Sequence, residues 1–177
     1  MDTDRFWQLI ELAHRQADPA DPEVTAAEAT ALLAALGPEE IVRAQQILWD
    51  QMAGSYRAPL WAAAYMINGG CSDDGFDYFR GWLIAQGRAV FEQAVADPDA
   101  LADHPAVRNA AEGGDELEAE DVLAVPWNAY RQATGRELPQ DSFTITYPAL
   151  DPAWNFSFDD RAKVAQRLPR LDAIFAA

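Results

Sequence analysis

Ile67-Asn68-Gly69-Gly70-Cys71-Ser72-Asp73-Asp74-Gly75-Phe76-Asp77-Tyr78-Phe79-Arg80-Gly81-Trp82 reads as a helix stop, a tight turn and an acid-rich helix start. Asn68 and Gly69 suit left-handed backbone angles, which end a helix and reverse the chain within a few residues. Ser72 is placed as an N-cap, with Asp73 and Asp74 in the first turn where the helix dipole favours negative charge. Asp77 stands three residues before Arg80, a spacing that pairs opposite charges on a helix surface. Phe76, Phe79 and Leu83 face a core. The segment is therefore an αα-hairpin, and it sets the expectation of a mainly α fold.

Helix signals continue outward from it. Phe6, Leu9, Ile10, Ala13 and Ala17 recur at helical spacing from about Asp4 to Ala17, and Asp18-Pro19-Ala20-Asp21-Pro22 breaks the run. Thr25-Ala26-Ala27-Glu28 has the form of a capping box, opening a short helix that Gly37 ends. Pro38 then takes the first position of a long helix with Ile41, Gln45, Leu48, Met52 and Tyr56 on one strip and Val42 and Trp49 beside it. After Pro59 an apolar helix carries Trp61, Tyr65 and Met66 into the turn, and the helix from Ser72 is expected to run unbroken to Asp97-Pro98. Gly113 to Asp121 reads as an acidic, exposed connector. A further helix ends at Gly135, with Pro126 marking its start or a kink.

Residues 136–157 are Pro-rich and irregular. Phe143-Thr144-Ile145-Thr146-Tyr147 alternates like a short strand, but a lone strand is unstable, so it is expected as an extended segment packed on helices. Ser157-Phe158-Asp159-Asp160 caps a final helix that Pro169 bends. No repeat or shift of composition divides the chain, which reads as a single helical domain over residues 1–177.

Composition narrows the function. The chain has 177 residues, half of them apolar and 11% aromatic, enough for a packed core. No apolar run approaches the roughly 20 residues of a membrane span. The N-terminus is acidic where a secretory signal is basic, so a cytoplasmic location is expected. With 29 acidic against 13 basic residues the formal net charge is −16, and Lys163 is the sole lysine, which argues against nucleic-acid binding. Abundant alanine and arginine suggest a bacterial origin. One cysteine and two histidines exclude a disulfide framework and a structural zinc site.

No catalytic residue, metal set or cofactor motif is assigned. The serines and histidines form no nucleophile elbow, and Gly69-Gly70 is followed by acids that would repel phosphate. Cys71 stands beside a helix start, which favours thiolate and a nucleophile, but Asp73 and Asp74 oppose a further negative charge, so a buried packing cysteine is expected. Gly75 and Gly81 are unusual inside a helix, where each costs about 1 kcal/mol against alanine, so something approaches the backbone there. Tyr78 and Trp82 add aromatic edges beside them. The candidate binding residues are thus Asn68, Asp73, Asp74, Asp77, Tyr78, Arg80, Gly81 and Trp82.

The stretch Trp61 to Leu83 resembles the signature of a bacterial family known as domain of unknown function 4240. Phe6-Trp7-Gln8-Leu9-Ile10, Pro38-Glu39-Glu40-Ile41, Ala129-Tyr130 and Thr134-Gly135 fit the same family in order. The resemblance implies no activity and no catalytic residues. Two function classes follow from the residues. The favoured one is an acidic interaction or regulatory module that engages a protein partner, a basic one in its concrete form, through the 68–82 hairpin or its acidic face. The alternative is a small enzyme or a ligand- or metal-binding domain using Asp73, Asp74, Asp77 and Arg80.

Overall fold

In the computed structural model, which describes residues 1–17 and 21–176, regular structure is entirely helical, with no strand among the described residues. Helix α1 (Thr3–Gln16) starts where the Asp2 carboxylate accepts the Arg5 amide at 2.8 Å, and buries Phe6, Trp7, Ile10 and Ala13. In α2 (Pro22–Ala34) the expected capping box is displaced upstream. Asp21 accepts the amides of Glu23 and Val24 at 2.9 and 3.2 Å, and Pro22 needs no partner at the first position. Thr25 therefore lies inside the helix, buried, with its hydroxyl on the Asp21 carbonyl at 3.3 Å. Of the expected Asp18–Pro22 break, residues 18–20 lie outside the described residues. Helix α3 (Pro38–Gly54) is the longest at 17 residues and buries Ile41, Gln45, Leu48 and Met52.

Helix α4 (Ala58–Ile67) is apolar on nearly every side and sits inside the fold. Its end is a Schellman turn: the Gly70 amide reaches back to the Tyr65 carbonyl at 2.9 Å, with Gly69 at φ +67° and Gly70 at +144°. The positive angles fall on the two glycines, and Asn68 keeps φ −91°. Helix α5 (Asp73–Ala85) follows, capped by the Ser72 hydroxyl, which accepts the Gly75 amide at 3.1 Å. The expected single helix to Asp97 is two. Gly87 at φ +91° breaks the path, and α6 (Arg88–Ala96) leaves in a new direction before a 3₁₀ turn at Pro98–Asp103.

Helices α7 (Pro105–Gly113), α8 (Glu120–Leu123) and α9 (Val125–Thr134) follow, with Pro126 in the first turn of α9. Helix α1 packs on α2, α9 on α2 and α3, and α8 on α5. Pro169 separates α10 (Arg161–Arg167) from α11 (Pro169–Phe175) rather than bending one helix. The start of α11 is capped from afar: Asp99 accepts the Arg170 and Leu171 amides at 3.0 and 2.9 Å. Trp7, Phe76, Phe79, Leu60 and Leu83 meet in one hydrophobic cluster. No helix among the described residues is long and apolar enough to cross a membrane.

Residues 143–147 lie extended on the helices, as expected, and form no strand. Gln46 supplies what a neighbouring strand would: its carbonyl oxygen accepts the Thr144 amide at 2.8 Å, and its nitrogen donates to the Thr144 carbonyl at 3.1 Å. Tyr147 then stacks on Tyr56, ring centres 4.6 Å apart.

Candidate functional site

Helix α5 divides its candidate residues between two sides. On the inner side Arg80 is completely buried, which corrects its placement as a surface partner of Asp77. The pairing with Asp77 is present, and the guanidinium also donates to the Met52 carbonyl and, through Nε, to the Phe76 carbonyl at 3.3 Å. Phe76, Tyr56 and Tyr147 surround it at 4.5, 5.3 and 5.3 Å from their ring centres. A buried guanidinium is tolerable only with its donors used and its charge met, and here Asp77, two carbonyls and three aromatic faces do both. Burial outweighs the pull of Arg80 and moves the Asp77 carboxyl above its ordinary range.

The helix glycines have a packing reason. A Cβ at Gly81 would lie 2.4 Å from the Ala119 carbonyl oxygen, and the Ala119 amide donates to the Tyr78 carbonyl at 3.0 Å. At Gly75 the neighbours are the Glu118 carboxylate at 3.3 Å and the Ser72 hydroxyl at 3.4 Å. Asn68 holds the same strand of chain: its carbonyl oxygen accepts the Leu117 amide at 3.0 Å and its nitrogen donates to the Leu117 carbonyl at 3.5 Å. The 113–121 connector is thus exposed through Glu116 and again at Glu120 and Asp121, but not between. From Leu117 to Ala119 it is docked on α5, and Trp82 is buried alongside. Arg80, Gly81 and Trp82 therefore serve the interior, and Asn68 ties the hairpin to the connector.

On the outer side Asp73 and Asp74 are exposed and Asp77 and Tyr78 half-buried. Docking the connector brings Glu118 and Glu120 to them. The Tyr78 hydroxyl is held above its ordinary pKa, first by the Glu120 carboxylate, then by burial and Asp74. Glu118 is raised by burial and by Glu116. Cys71, at the edge of this face, is pushed up to about 12 by burial, with Glu118 the next cause. It is a neutral thiol and a poor nucleophile at physiological pH. No group of three or more His, Cys, Asp or Glu side chains able to hold a metal ion occurs among the described residues. Asp73, Asp74, Asp77 and Arg80 line neither of two cavities formed against α4.

Those cavities lie on the other flank of α4, at about 500 and 440 Å³. Both are walled by Tyr65, Phe158 and Asp159, and the Tyr65 hydroxyl donates to Asp159, which raises the tyrosine's pKa. The second adds Trp61, Cys71 and Trp154. Trp61 is fixed by its Nε1–H on the Cys71 carbonyl at 3.1 Å and by stacking on Phe76 at 4.9 Å. Sequence reasoning did not single out Trp154, Phe158 or Asp159 as site residues. Its one available signal was the clustering of aromatics and acids from Asp151 to Asp160 in a stretch without periodicity.

Residues 1–132 match the family described as Protein of unknown function (DUF4240), and the chain belongs to that family. No curated protein and no solved structure matches it.

Proposed function

We propose that this family member is a cytoplasmic interaction module rather than an enzyme, and that it engages a basic protein partner through the acidic face beside the 68–82 hairpin. The observation that carries the reading is the docking of residues 117–119 on α5, with the Ala119 amide on the Tyr78 carbonyl at 3.0 Å and the Glu118 carboxylate against Gly75, which adds Glu118 and Glu120 to the side of Asp74 and Tyr78. None of these, nor Asp73, forms an ion pair with an arginine or lysine among the described residues, although such pairs are common elsewhere on the molecule. The one cation of the hairpin, Arg80, is spent inside on Asp77.

Crowding like charges costs on the order of 1 kcal/mol for each close surface pair. A cationic partner surface relieves that cost and is steered toward it, the more so with a net charge of −16 behind the face. The same field repels nucleic acid. Helix capping accounts for Asp73 and Asp74 taken alone, but it does not account for Glu118 and Glu120 being delivered beside them from a separate segment.

The test places a photoreactive benzoylphenylalanine at position 78 in cells that naturally make the protein. One discrete adduct to a protein of positive net charge is expected, weakened by added salt and absent in Asp73→Asn/Asp74→Asn/Glu120→Gln. No adduct, or one indifferent to that neutralisation, would overturn the proposal.

A further inference from the structure

The groove between α4 and residues 150–159 has about 440 Å³ of space, within the range of small-molecule sites. Trp61 and Tyr65 line it from α4, and Trp154 and Phe158 from the opposite wall, together with Asp151 and Asp159. No arginine, lysine or histidine is among its lining residues. Both carboxylates are held by neutral donors only. Asp151 accepts the Ala153 amide at 2.9 Å, and Asp159 accepts the Tyr65 hydroxyl and the Ser157 hydroxyl, the latter at 3.1 Å. Hydrogen bonds of that kind orient a carboxylate and leave its charge in place.

A groove of aromatic walls and unneutralised carboxylates selects a cation. Ring faces attract positive charge through their quadrupole, and an anion would find no basic group to meet it. The same segment already uses this chemistry within the fold. The Arg167 guanidinium stands 5.1 Å from the Trp154 ring and 4.7 Å from Phe156, and the Lys163 ammonium 5.7 Å from Phe156. Beyond the Tyr65–Asp159 partition, Arg161 is turned away, onto the Phe175 carbonyl at 3.2 Å and Asp172 at 3.7 Å.

We propose that this groove binds a small organic cation, an alkylated or quaternary amine on a short apolar body. The α4 wall lies within the family match and the Trp154–Asp159 wall beyond it, so the second wall sets which cation fits. The site is independent of the acidic face, since it needs Trp154 and Asp159 and none of Asp73, Asp74 or Glu120.

The test titrates the full chain with choline and with its uncharged isostere 3,3-dimethylbutan-1-ol, following the indole N–H resonances. Choline is expected to shift Trp61 and Trp154 and to bind about tenfold or more tightly than the alcohol. Trp154→Ala and Asp159→Asn should each weaken choline about tenfold. Trp154→Phe should retain most of the binding and guard against misfolding, and Asp73→Asn/Asp74→Asn/Glu120→Gln should leave it unchanged. Equal binding of the two probes, binding of neither, or choline binding indifferent to Trp154 and Asp159 would overturn the proposal. So would a trimethyllysine peptide that binds where free choline does not.

Discussion

The two sides of α5 carry charge for opposite ends. On the inner side the charge of Arg80 is met: a carboxylate, two carbonyls and three rings close over one guanidinium. On the outer side, about two turns away, Asp73 and Asp74 stand in solvent and receive more acid from the connector instead of a counter-charge. Charge that is matched and buried holds a fold together, and charge that is concentrated and unmatched at a surface is available to something else. Density of interesting side chains in a sequence does not separate the two.

Breaking the inner side should cost most. Arg80→Ala leaves Asp77 and the Met52 carbonyl without their donor and opens a cavity among the rings, so urea denaturation should show a loss of about 3–5 kcal/mol. Gly81→Ala comes next. Its methyl meets backbone that cannot move without undocking Ala119, and a loss of about 2–3 kcal/mol is expected. Gly75→Ala is the control: only the Glu118 carboxylate at 3.3 Å has to give way, alanine's better helix propensity offsets that, and stability should stay within about 0.5 kcal/mol of the parent. Asn68→Ala should cost about 1–2 kcal/mol by orphaning both backbone groups of Leu117.

Cys71 sharpens the comparison by pH. Its folded pKa is raised from 9.0 to about 12, so the unfolded chain ionises first. The contribution of the neutral thiol is full below pH 9 and is lost as the pH climbs toward 12. Alkylation by iodoacetamide at pH 8 should accordingly run at least about 100-fold slower than for an unfolded control of the same chain. A rate equal to the control would remove the burial argument at this edge.

What was legible in the sequence was local. Ser72 capping α5, the glycine turn after α4 and the Asp77–Arg80 pair depend on residues a few positions apart, where spacing is geometry. The burial of Arg80 was not legible, because Tyr56 and Tyr147 come from distant segments and nothing in i, i+3 spacing says which side of a helix will be covered. The odd glycines did report a close approach, yet its source, Ala119, lay in a stretch whose acidity read as solvated loop. The α5–α6 break was hidden by apolar spacing that ran on through Gly87. At α2, Asp21-Pro22 outcompeted Thr25, since an aspartate followed by proline offers a better first turn than a threonine already inside it. The groove wall at Trp154–Asp159 has no period to read at all.

A small effect on stability is expected where the largest effect on binding is. Asp73→Asn/Asp74→Asn/Glu120→Gln gives up dipole stabilisation and relieves repulsion together, so its urea midpoint should lie within about 1 kcal/mol of the parent. The decisive measurement is a calorimetric titration of the cross-linked partner, once purified, into parent and triple variant. Salt-sensitive binding to the parent and affinity at least about tenfold weaker for the equally stable variant are expected. Equal affinity for the two proteins would contradict the assignment of the outer face to partner binding.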